Sequence, residues 1–360
     1  MIIKTITCHD VYNVGASLQA YALSAYLSKL GHQVEIIDYK PYYLKHYQLW
    51  GVKNPKYDKP VVGLLYNLAK LPGRLKERFS QRKKAFDSFT KEYLPVTKTT
   101  YQNNDELKQA NLDADIIFAG SDQIWNTIFQ NGKDPAFYLD FAPADSVRAS
   151  YAASFATEDI DENYKEKISE WLRNLNHVSV RETSGVTILN NLGITTAQQV
   201  VDPVFLLSKT EWEALLKDNV PTEKYLLIYD FDENIEMNAK AVELAQSNGW
   251  SIYSMFPNSI CDKCFFDDGP LKFVELVKNA EMVISNSFHA VAFSIIFERQ
   301  FVLYERKEKI NTRMRDLLKG LGISMNGENI DYKEVDALLQ SQISSSKKYI
   351  DKVIDSVRKI

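Results

Sequence analysis

A histidine stands where a short apolar run gives way to a predicted helix, in the segment SNSFHAVAFS at residues 285–294. The chain holds five histidines, and an imidazole placed like His289 could exchange protons near neutral pH. Ser285, Asn286 and Ser287 precede it with hydroxyl and amide groups, and the positive end of the helix would lower the pKa of the imidazole. The alternative is a partly buried histidine that only caps the helix, so placement alone leaves both interpretations open.

Cationic side chains that could hold an anionic substrate also follow predicted strands. Arg181 ends the predicted strand 177–180, and a guanidinium is preformed for bidentate binding of phosphate or carboxylate. The alternative for Arg181 is a surface pairing with Glu182 that has no functional consequence. Beyond His289, one loop offers several further cations: Arg306, Lys307, Lys309, Arg313 and Arg315.

The turn after the first predicted strand contains Asn13 and Gly15, directly before a predicted helix. A glycine at that position lets the backbone approach a ligand, and a helix N-terminus favours an anion. The complete GxGxxG pattern of a dinucleotide site is missing, and a tight strand-to-helix turn explains the two residues equally well.

A third polar cluster, GSDQIWN at residues 120–126, follows the strand predicted at 114–119. Asp122 could accept a sugar hydroxyl, and Trp125 could stack on a sugar ring. The alternative is a capped helix with Trp125 in the core. The cluster supplies the candidate acceptor-binding residues Ser121, Asp122, Gln123, Trp125 and Asn126.

The elements that must position these residues alternate between strands and helices along most of the chain. Strand, loop, helix and strand within residues 2–39 form a βαβ unit, which predicts a parallel sheet. Continued alternation predicts a doubly wound domain at 1–210 and a smaller one at 222–330, with a helical tail at 331–360 that packs back on the first domain. Such α/β domains bind ligands at the carboxyl ends of their strands, so the cleft between the two domains is the expected site.

Composition narrows the class of protein. A net charge of −4 gives no electrostatic basis for nucleic-acid binding, and three cysteines make no disulfide framework. No leader and no uncharged apolar stretch of about 18 residues are present, which predicts a cytoplasmic protein.

The segment at about 60–95 is basic and helix-prone. We favour a solvated helical face, and the alternative is a surface that meets anionic headgroups or a polyanionic acceptor.

Five stretches together resemble the polysaccharide pyruvyl transferase family, and they extend from residue 10 to about residue 323. The first four are DVYNVGASLQAYALSAYLSKLGHQVEIIDY, AGSDQIWN, VSVRETSG and VDPVFLL. The fifth is GPLKFVELVKNAEMVISNSFHAVAFSIIFERQFV. The resemblance implies a GT-B-like fold of two Rossmann-like domains. It also implies transfer of pyruvate from phosphoenolpyruvate to a sugar as a cyclic ketal, with release of phosphate and with neither cofactor nor metal.

The resemblance also assigns roles to individual positions. It places the family's strand-end arginine at Arg181 and its histidine at His289, with one downstream basic residue helping to hold the donor. Some members carry an arginine where this chain has Ser287, and a glycine is frequent where it has Ala290. The candidates for the downstream cation stay open: Lys309, Arg306 and Arg313.

The function predicted from the sequence is therefore a pyruvyltransferase acting on a sugar of a surface-polysaccharide precursor, either lipid-linked or polymeric. One alternative is a glycosyltransferase that uses a nucleotide sugar on the same scaffold, since fold does not fix function. The other is a non-catalytic carbohydrate-binding protein of a polysaccharide locus.

Overall fold

The computed structural model describes residues 1–49, 60–217, 222–308, 310–324, 327 and 330–357. The first domain is built on five parallel strands arranged in the order β3-β2-β1-β4-β5. These strands are β1 (Ile2–Ile6), β2 (Gln33–Tyr39), β3 (Val96–Tyr101), β4 (Ile116–Ala119) and β5 (Val147–Ser150). Isolated bridges from Ala149 to His177 and from Ala153 to Val180 attach a short parallel pair, β6 (Ser179–Val180) and β7 (Gln198–Gln199).

Helices connect these strands. The helix α1 (Val14–Lys29) forms where the sequence predicts it. It begins after Asn13, whose side chain accepts a hydrogen bond from the Ala16 amide. It ends just before Gly31, which takes the left-handed conformation at φ +86°. The basic segment forms two helices, α2 and α3. The helices after α1 are α2 (Pro60–Arg78), α3 (Gln81–Tyr93), α4 (Asn104–Ala110), α5 (Lys165–Arg173), α6 (Thr183–Asn191) and α7 (Lys209–Glu213).

The second domain repeats the strand order of the first, with five parallel strands in the order β10-β9-β8-β11-β12. They are β8 (Tyr225–Tyr229), β9 (Ser251–Ser254), β10 (Lys263–Cys264), β11 (Met282–Ser285) and β12 (Gln300–Leu303). The central strand β8 is buried along its whole length, as expected for a parallel sheet covered on both faces. Its helices are α8 (Ile235–Asn248), α9 (Pro270–Asn279), α10 (Phe288–Ile296) and α11 (Thr312–Gly320).

A last helix, α12 (Tyr332–Val357), runs from the second domain across the first. The Tyr349 hydroxyl donates to the Ser150 carbonyl at 2.9 Å, and the Ser346 hydroxyl accepts from the Val201 amide at 2.9 Å. One apolar cluster includes residues of both sheets and of α12. The two domains therefore share a continuous core, which holds their strand ends in a fixed relation.

The α/β class and the two doubly wound arrays predicted from the sequence are confirmed. Details differ. The run RASYAASF at residues 148–155 predicts a strand, but β5 ends at Ser150, because the chain then bends to bridge β6. The short helix α4, the edge strand β3 and α11 were not predicted. The predicted interdomain segment 211–221 includes 218–221, which lie outside the described residues.

Candidate active site

Arg181 and His289, from different domains, meet around Asp202. The Arg181 guanidinium donates through Nη1 to Asp202 Oδ2 and through Nη2 to Asp122 Oδ1, the latter at 3.0 Å. His289 Nε2 lies 3.8 Å from Asp202 Oδ2. Arg313 Nη1 donates to Asp122 Oδ1 at 3.3 Å. The result is a compact cluster of two carboxylates, two guanidinium groups and one imidazole.

The topology explains why these residues converge. Asp122 follows β4, Arg181 follows β6, Asp202 follows β7 and His289 lies in the first turn of α10 after β11. All of them are at carboxyl ends of parallel strands, where open α/β sheets bind their ligands. Arg313 reaches the cluster from α11. The site therefore lies where the ends of the two sheets face each other.

Gly15 is the residue of the first strand-to-helix turn that contacts the cluster. A Cβ atom at this position would lie 1.9 Å from His289 Nδ1, so the missing side chain makes room for the imidazole. The sequence suggested that Gly15 and Asn13 approach an anion. In the structure the nearest group to Gly15 is the imidazole ring, and the Asn13 side chain caps α1 by accepting from the Ala16 amide at 3.2 Å.

Replacing Gly15 by alanine is expected to displace the imidazole and to lower kcat by about 10²-fold, because misplacement of a reacting group by about 1 Å has an effect of that size. The loss of stability should stay within about 1–3 kcal/mol, as for other overpacked sites. Steady-state kinetics and urea unfolding measure the two effects. Gly73→Ala is the matched control, since an added Cβ there meets nothing within 4 Å. Full activity of Gly15→Ala would contradict the placement of His289.

Burial and charge shift the acid–base properties of the cluster. Burial lowers the pKa of His289, and the positive charges of Arg181 and Arg313 act in the same direction, while Asp202 and Asp122 oppose them. Burial would raise the pKa of Asp122, but Arg181 and Arg313 outweigh it and hold that pKa at about 2. His289 is therefore neutral and Asp122 ionised near pH 7.

Arg313 differs from Arg181 in its electrostatic environment. Burial and the charge of Arg181 lower the pKa of Arg313 to about 10, and Asp122 offsets only part of this effect. Burial also disfavours the charge of Arg181, but Asp202 and Asp122 outweigh it and raise the pKa of that guanidinium. Both arginines stay cationic at neutral pH, and Arg313 is the one less compensated by carboxylates.

Glu182 is buried behind Arg181 instead of pairing with it at the surface. Its Oε1 accepts from the Ser154 hydroxyl and from the amides of Phe155 and Ala156, at 2.8–3.0 Å. Burial raises the pKa of Glu182. The Arg181 side chain is only 2% exposed, so the alternative of an inconsequential surface pair is wrong.

The cluster retains unused hydrogen-bonding capacity. Within the described part of the chain, Nε of Arg181, Nε of Arg313 and Nε2 of His289 are buried without a hydrogen-bond partner. The Ser287 side chain, at the N-terminus of α10, makes no capping hydrogen bond to that helix. Arg181 and Arg313 lie over the Phe288 ring, 4.7 and 5.6 Å from its centre, and line a cavity of about 410 Å³. These groups can accommodate a small anion.

The residues predicted to bind an acceptor sugar are mostly buried. Trp125 is fully buried, stacks on Tyr138 at 5.4 Å and donates its indole N–H to the Phe137 carbonyl, so the prediction of sugar stacking is wrong. Ser121 and Asn126 are also buried and bonded within the fold. Asp122 and Gln123 remain partly exposed, and Asp122 belongs to the charged cluster.

Among the downstream cations, Arg313 is the one that reaches the cluster within the described residues. Arg306 instead donates through Nε to Asp232 at 3.0 Å and through Nη2 to Glu308 at 2.9 Å, beside Phe231. Lys309 lies outside the part of the chain that the structure describes.

Two site residues were missed by the sequence reasoning. Asp202 precedes a proline in the stretch VDPVFLL, and that pattern predicts only a cap or a turn. It does accept from the Val204 amide at 3.0 Å, and it also holds Arg181. Phe288 received no role, although its ring lies beneath both guanidinium groups. The position of Asp202 just after β7 was the sequence feature that could have identified it as a site residue.

Solved structures resemble this chain in fold. A Listeria monocytogenes protein described as a putative UDP-N-acetylglucosamine 2-epimerase matches with a TM-score of 0.52 at 8% identity, covering 98% of this chain and 90% of that one. The UDP-GlcNAc 2-epimerase of Neisseria meningitidis has a TM-score of 0.48 at 11% identity, covering 98% and 94%. The Escherichia coli heptosyltransferase WaaC has a TM-score of 0.40 at 11% identity, covering 98% and 100%. At 8% identity the likeness to the Listeria monocytogenes protein concerns the fold alone.

The fold and the interdomain site define a GT-B-like protein of two Rossmann-like domains. The family model "Polysaccharide pyruvyl transferase" matches residues 13–308, and the chain belongs to that family. The resemblance inferred from the sequence is thereby confirmed, and family membership indicates a transferase. No curated protein matches the chain.

Proposed function

We propose that the protein transfers pyruvate from phosphoenolpyruvate to two hydroxyls of a saccharide in a surface-polysaccharide precursor, forming a ketal and releasing phosphate. The observation that supports this most is the meeting of His289 and Arg181 around Asp202, in a chain that the pyruvyl transferase model covers over residues 13–308.

The donor carries a carboxylate and a phosphate, so it requires several cations or helix N-termini. Arg313 and Arg181 supply the cations, and their unpartnered Nε groups remain available for the donor. The N-terminus of α10, where the Ser287 side chain makes no capping hydrogen bond, adds backbone amides beside His289. We assign the role of the downstream cation to Arg313, and Ser287 needs no charge of its own in this arrangement.

The proposed reaction balances without an oxidant or a reductant. Two C–O bonds form between C2 of the donor and the two acceptor oxygens, and one C–H bond forms at the methylene carbon. The bond from C2 to the phosphate oxygen, the π bond between C2 and the methylene carbon and the two acceptor O–H bonds break. Of the two hydroxyl protons, one moves to the methylene carbon and the other leaves with phosphate. A neutral His289, whose Nε2 has no hydrogen-bond partner within the described chain, is suited to accept a hydroxyl proton and pass it on. The arginines stabilise the departing phosphate electrostatically.

The acceptor needs a different place from the buried residues after β4. A cavity of about 600 Å³ lies at the carboxyl ends of β1 and β2, beneath α3, and includes Tyr12, Lys40, Tyr47 and Arg78 in its lining. Tyr12, which lines this cavity, is three residues from Gly15, and Gly15 contacts His289. No more than about 10 Å of extended chain therefore separates the cavity lining from the charged cluster. Aromatic rings beside charged groups suit a saccharide that also carries phosphate.

If this cavity holds the acceptor, Tyr47→Ala should raise the KM for the acceptor about 2- to 10-fold, because a stacked ring contributes about 0.5–1.5 kcal/mol. The KM for phosphoenolpyruvate should stay unchanged. Tyr42→Ala is the matched control, since Tyr42 is 75% exposed and does not line the cavity. Equal effects of the two substitutions on the acceptor KM would place the acceptor elsewhere.

Phosphate release from phosphoenolpyruvate, measured with a panel of lipid-linked and free saccharides, tests the function itself. Acceptor-dependent release is expected, together with stabilisation against heat by phosphoenolpyruvate alone. Stabilisation by nucleotide sugars and not by phosphoenolpyruvate would support a glycosyltransferase. Saccharide binding without turnover and without any response to phosphoenolpyruvate would indicate a non-catalytic binding protein.

A further inference from the structure

The helix α2 presents a row of apolar side chains to solvent. Leu64, Leu65, Leu68 and Leu75 are 49%, 61%, 50% and 37% exposed, and Phe79, just past the helix end, is 66% exposed. At about 100° per residue these five positions fall within roughly 100° of the helix circumference. Such a stripe normally packs against a core, but here it faces outward.

Exposed cations border this row. By the same helical spacing Lys76 and Arg78 lie at its two edges, whereas Lys70 lies on the far side of α2. Lys84 on α3 is exposed as well, and Glu77 is the single exposed carboxylate of α2. The chain as a whole carries a net charge of −4, so this basic segment differs in sign from the rest of the molecule.

The opposite side of α2 is fixed to the protein. Asn67 is 3% exposed, and Arg74 donates to its side chain at 2.6 Å and to the Leu49 carbonyl at 3.2 Å. The following helix α3 buries Phe86 and Phe89. The Arg82 side chain on α3 reaches both domains, donating to the carbonyls of Tyr12 and Phe266. The apolar row therefore lies on a helix whose other side is bonded to the protein, and it points outward.

We propose that α2 binds the surface of an anionic lipid bilayer, with the leucine row at the acyl boundary and the bordering Lys76 and Arg78 on lipid phosphates. An apolar stripe bordered by cations is the pattern of helices that lie in the membrane interface. None of the described helices is long and apolar enough to cross a membrane. A second copy of the chain would fit less well, because its own exposed cations would face those of the first.

This surface adjoins the proposed acceptor cavity. Arg78 of α2 and Lys83 of α3 both line the cavity of about 600 Å³. A bilayer bound at α2 would thus bring lipid headgroups to the cavity mouth, which suits a lipid-linked saccharide. The membrane proposal extends beyond the transferase proposal, and vesicle binding can be measured without donor or acceptor.

Sedimentation with vesicles tests the proposal on the full-length protein. We expect binding to phosphatidylcholine vesicles that contain phosphatidylglycerol and about tenfold weaker binding of Leu65→Gln/Leu68→Gln, because the buried apolar area sets the affinity. Lys76→Gln/Arg78→Gln should lose the preference for the anionic lipid, and added salt should weaken wild-type binding. Ile235→Gln is the matched control, since Ile235 is 82% exposed and lies on α8.

Three outcomes would overturn the proposal. The first is failure of the wild-type protein to bind vesicles with phosphatidylglycerol, and the second is binding that the Leu65→Gln/Leu68→Gln variant retains in full. The third is a dimer in light scattering that the leucine variant converts to monomer, which would assign the row to self-association. Circular dichroism confirms that each variant is folded.

Discussion

Replacing His289 by glutamine is expected to lower kcat for phosphate release by about 10²–10⁴-fold while the protein stays folded. General acid–base catalysis by a positioned side chain contributes an effect of this size. Stability should change little, because His289 Nε2 has no hydrogen-bond partner in the described chain and Asp202 remains held by Arg181. Steady-state kinetics and urea unfolding measure the two effects.

The pH dependence gives a second readout. Since burial lowers the pKa of His289, the acid limb of kcat/KM should have its midpoint below the ordinary pKa of about 6.5. The folded state resists protonation more than the unfolded state does, so this histidine lowers stability as the pH falls from about 6.5 towards its folded pKa. His289→Gln should abolish both effects.

His177→Gln is the matched control for this substitution. Burial lowers the pKa of His177 as well, but its Nε2 contacts the Ser356 hydroxyl at 3.1 Å, away from the charged cluster. It should therefore retain wild-type kcat. Wild-type kcat in His289→Gln, or an equal loss in His177→Gln, would remove His289 from the reaction.

Replacing Arg181 by methionine is expected to reduce the free energy of unfolding by about 3–5 kcal/mol at pH 7. Breaking a buried ion pair by removing one partner leaves an uncompensated charge, which has an effect of that size. Asp202 has no exposed side-chain surface and would lose the guanidinium that holds it, while Asp122 would retain Arg313. Urea unfolding at several pH values measures the loss.

The effect of Arg181→Met should depend on pH. In the wild type, the charges of the two arginines overcome burial and lower the pKa of Asp122 from 3.8 to about 2. The stability from this shift is present above the unfolded pKa and is lost as the pH falls from about 4 to about 2. The difference between wild type and variant should therefore narrow in acid, where Asp122 becomes protonated in both.

A double variant separates the structural role of Arg181 from binding of the donor. Arg181→Met/Asp202→Asn removes the uncompensated carboxylate and should recover most of the stability, since replacing both partners of a buried pair is often near neutral. It should still bind phosphoenolpyruvate more weakly than the wild type. Recovery of full donor affinity in the double variant would limit Arg181 to a structural role.

Local sequence patterns determined the secondary structure and the fold class of this protein. Apolar runs of strand length alternate with helical spacing, and parallel strands place the loops at their carboxyl ends along one edge of a sheet. Residue type and position therefore sufficed to propose Arg181, His289 and Gly15 as candidate site residues, and the combined motifs sufficed for the family. The apolar row of α2 could also be predicted from the sequence, because helical spacing alone aligns Leu64, Leu68 and Leu75.

Only the tertiary structure decided which polar residues face each other. Asp202 and Arg181 pair because β6 and β7 are adjacent, and Arg313 reaches Asp122 across a sequence separation of 191 residues. Trp125 stacks in the core because the Phe137 carbonyl accepts its N–H, a partner that no local pattern specifies. Gly15 makes room for the imidazole of His289, which belongs to the other domain. Local composition sets secondary structure, but burial and charge pairing depend on contacts between distant segments, which the packing of the whole chain determines.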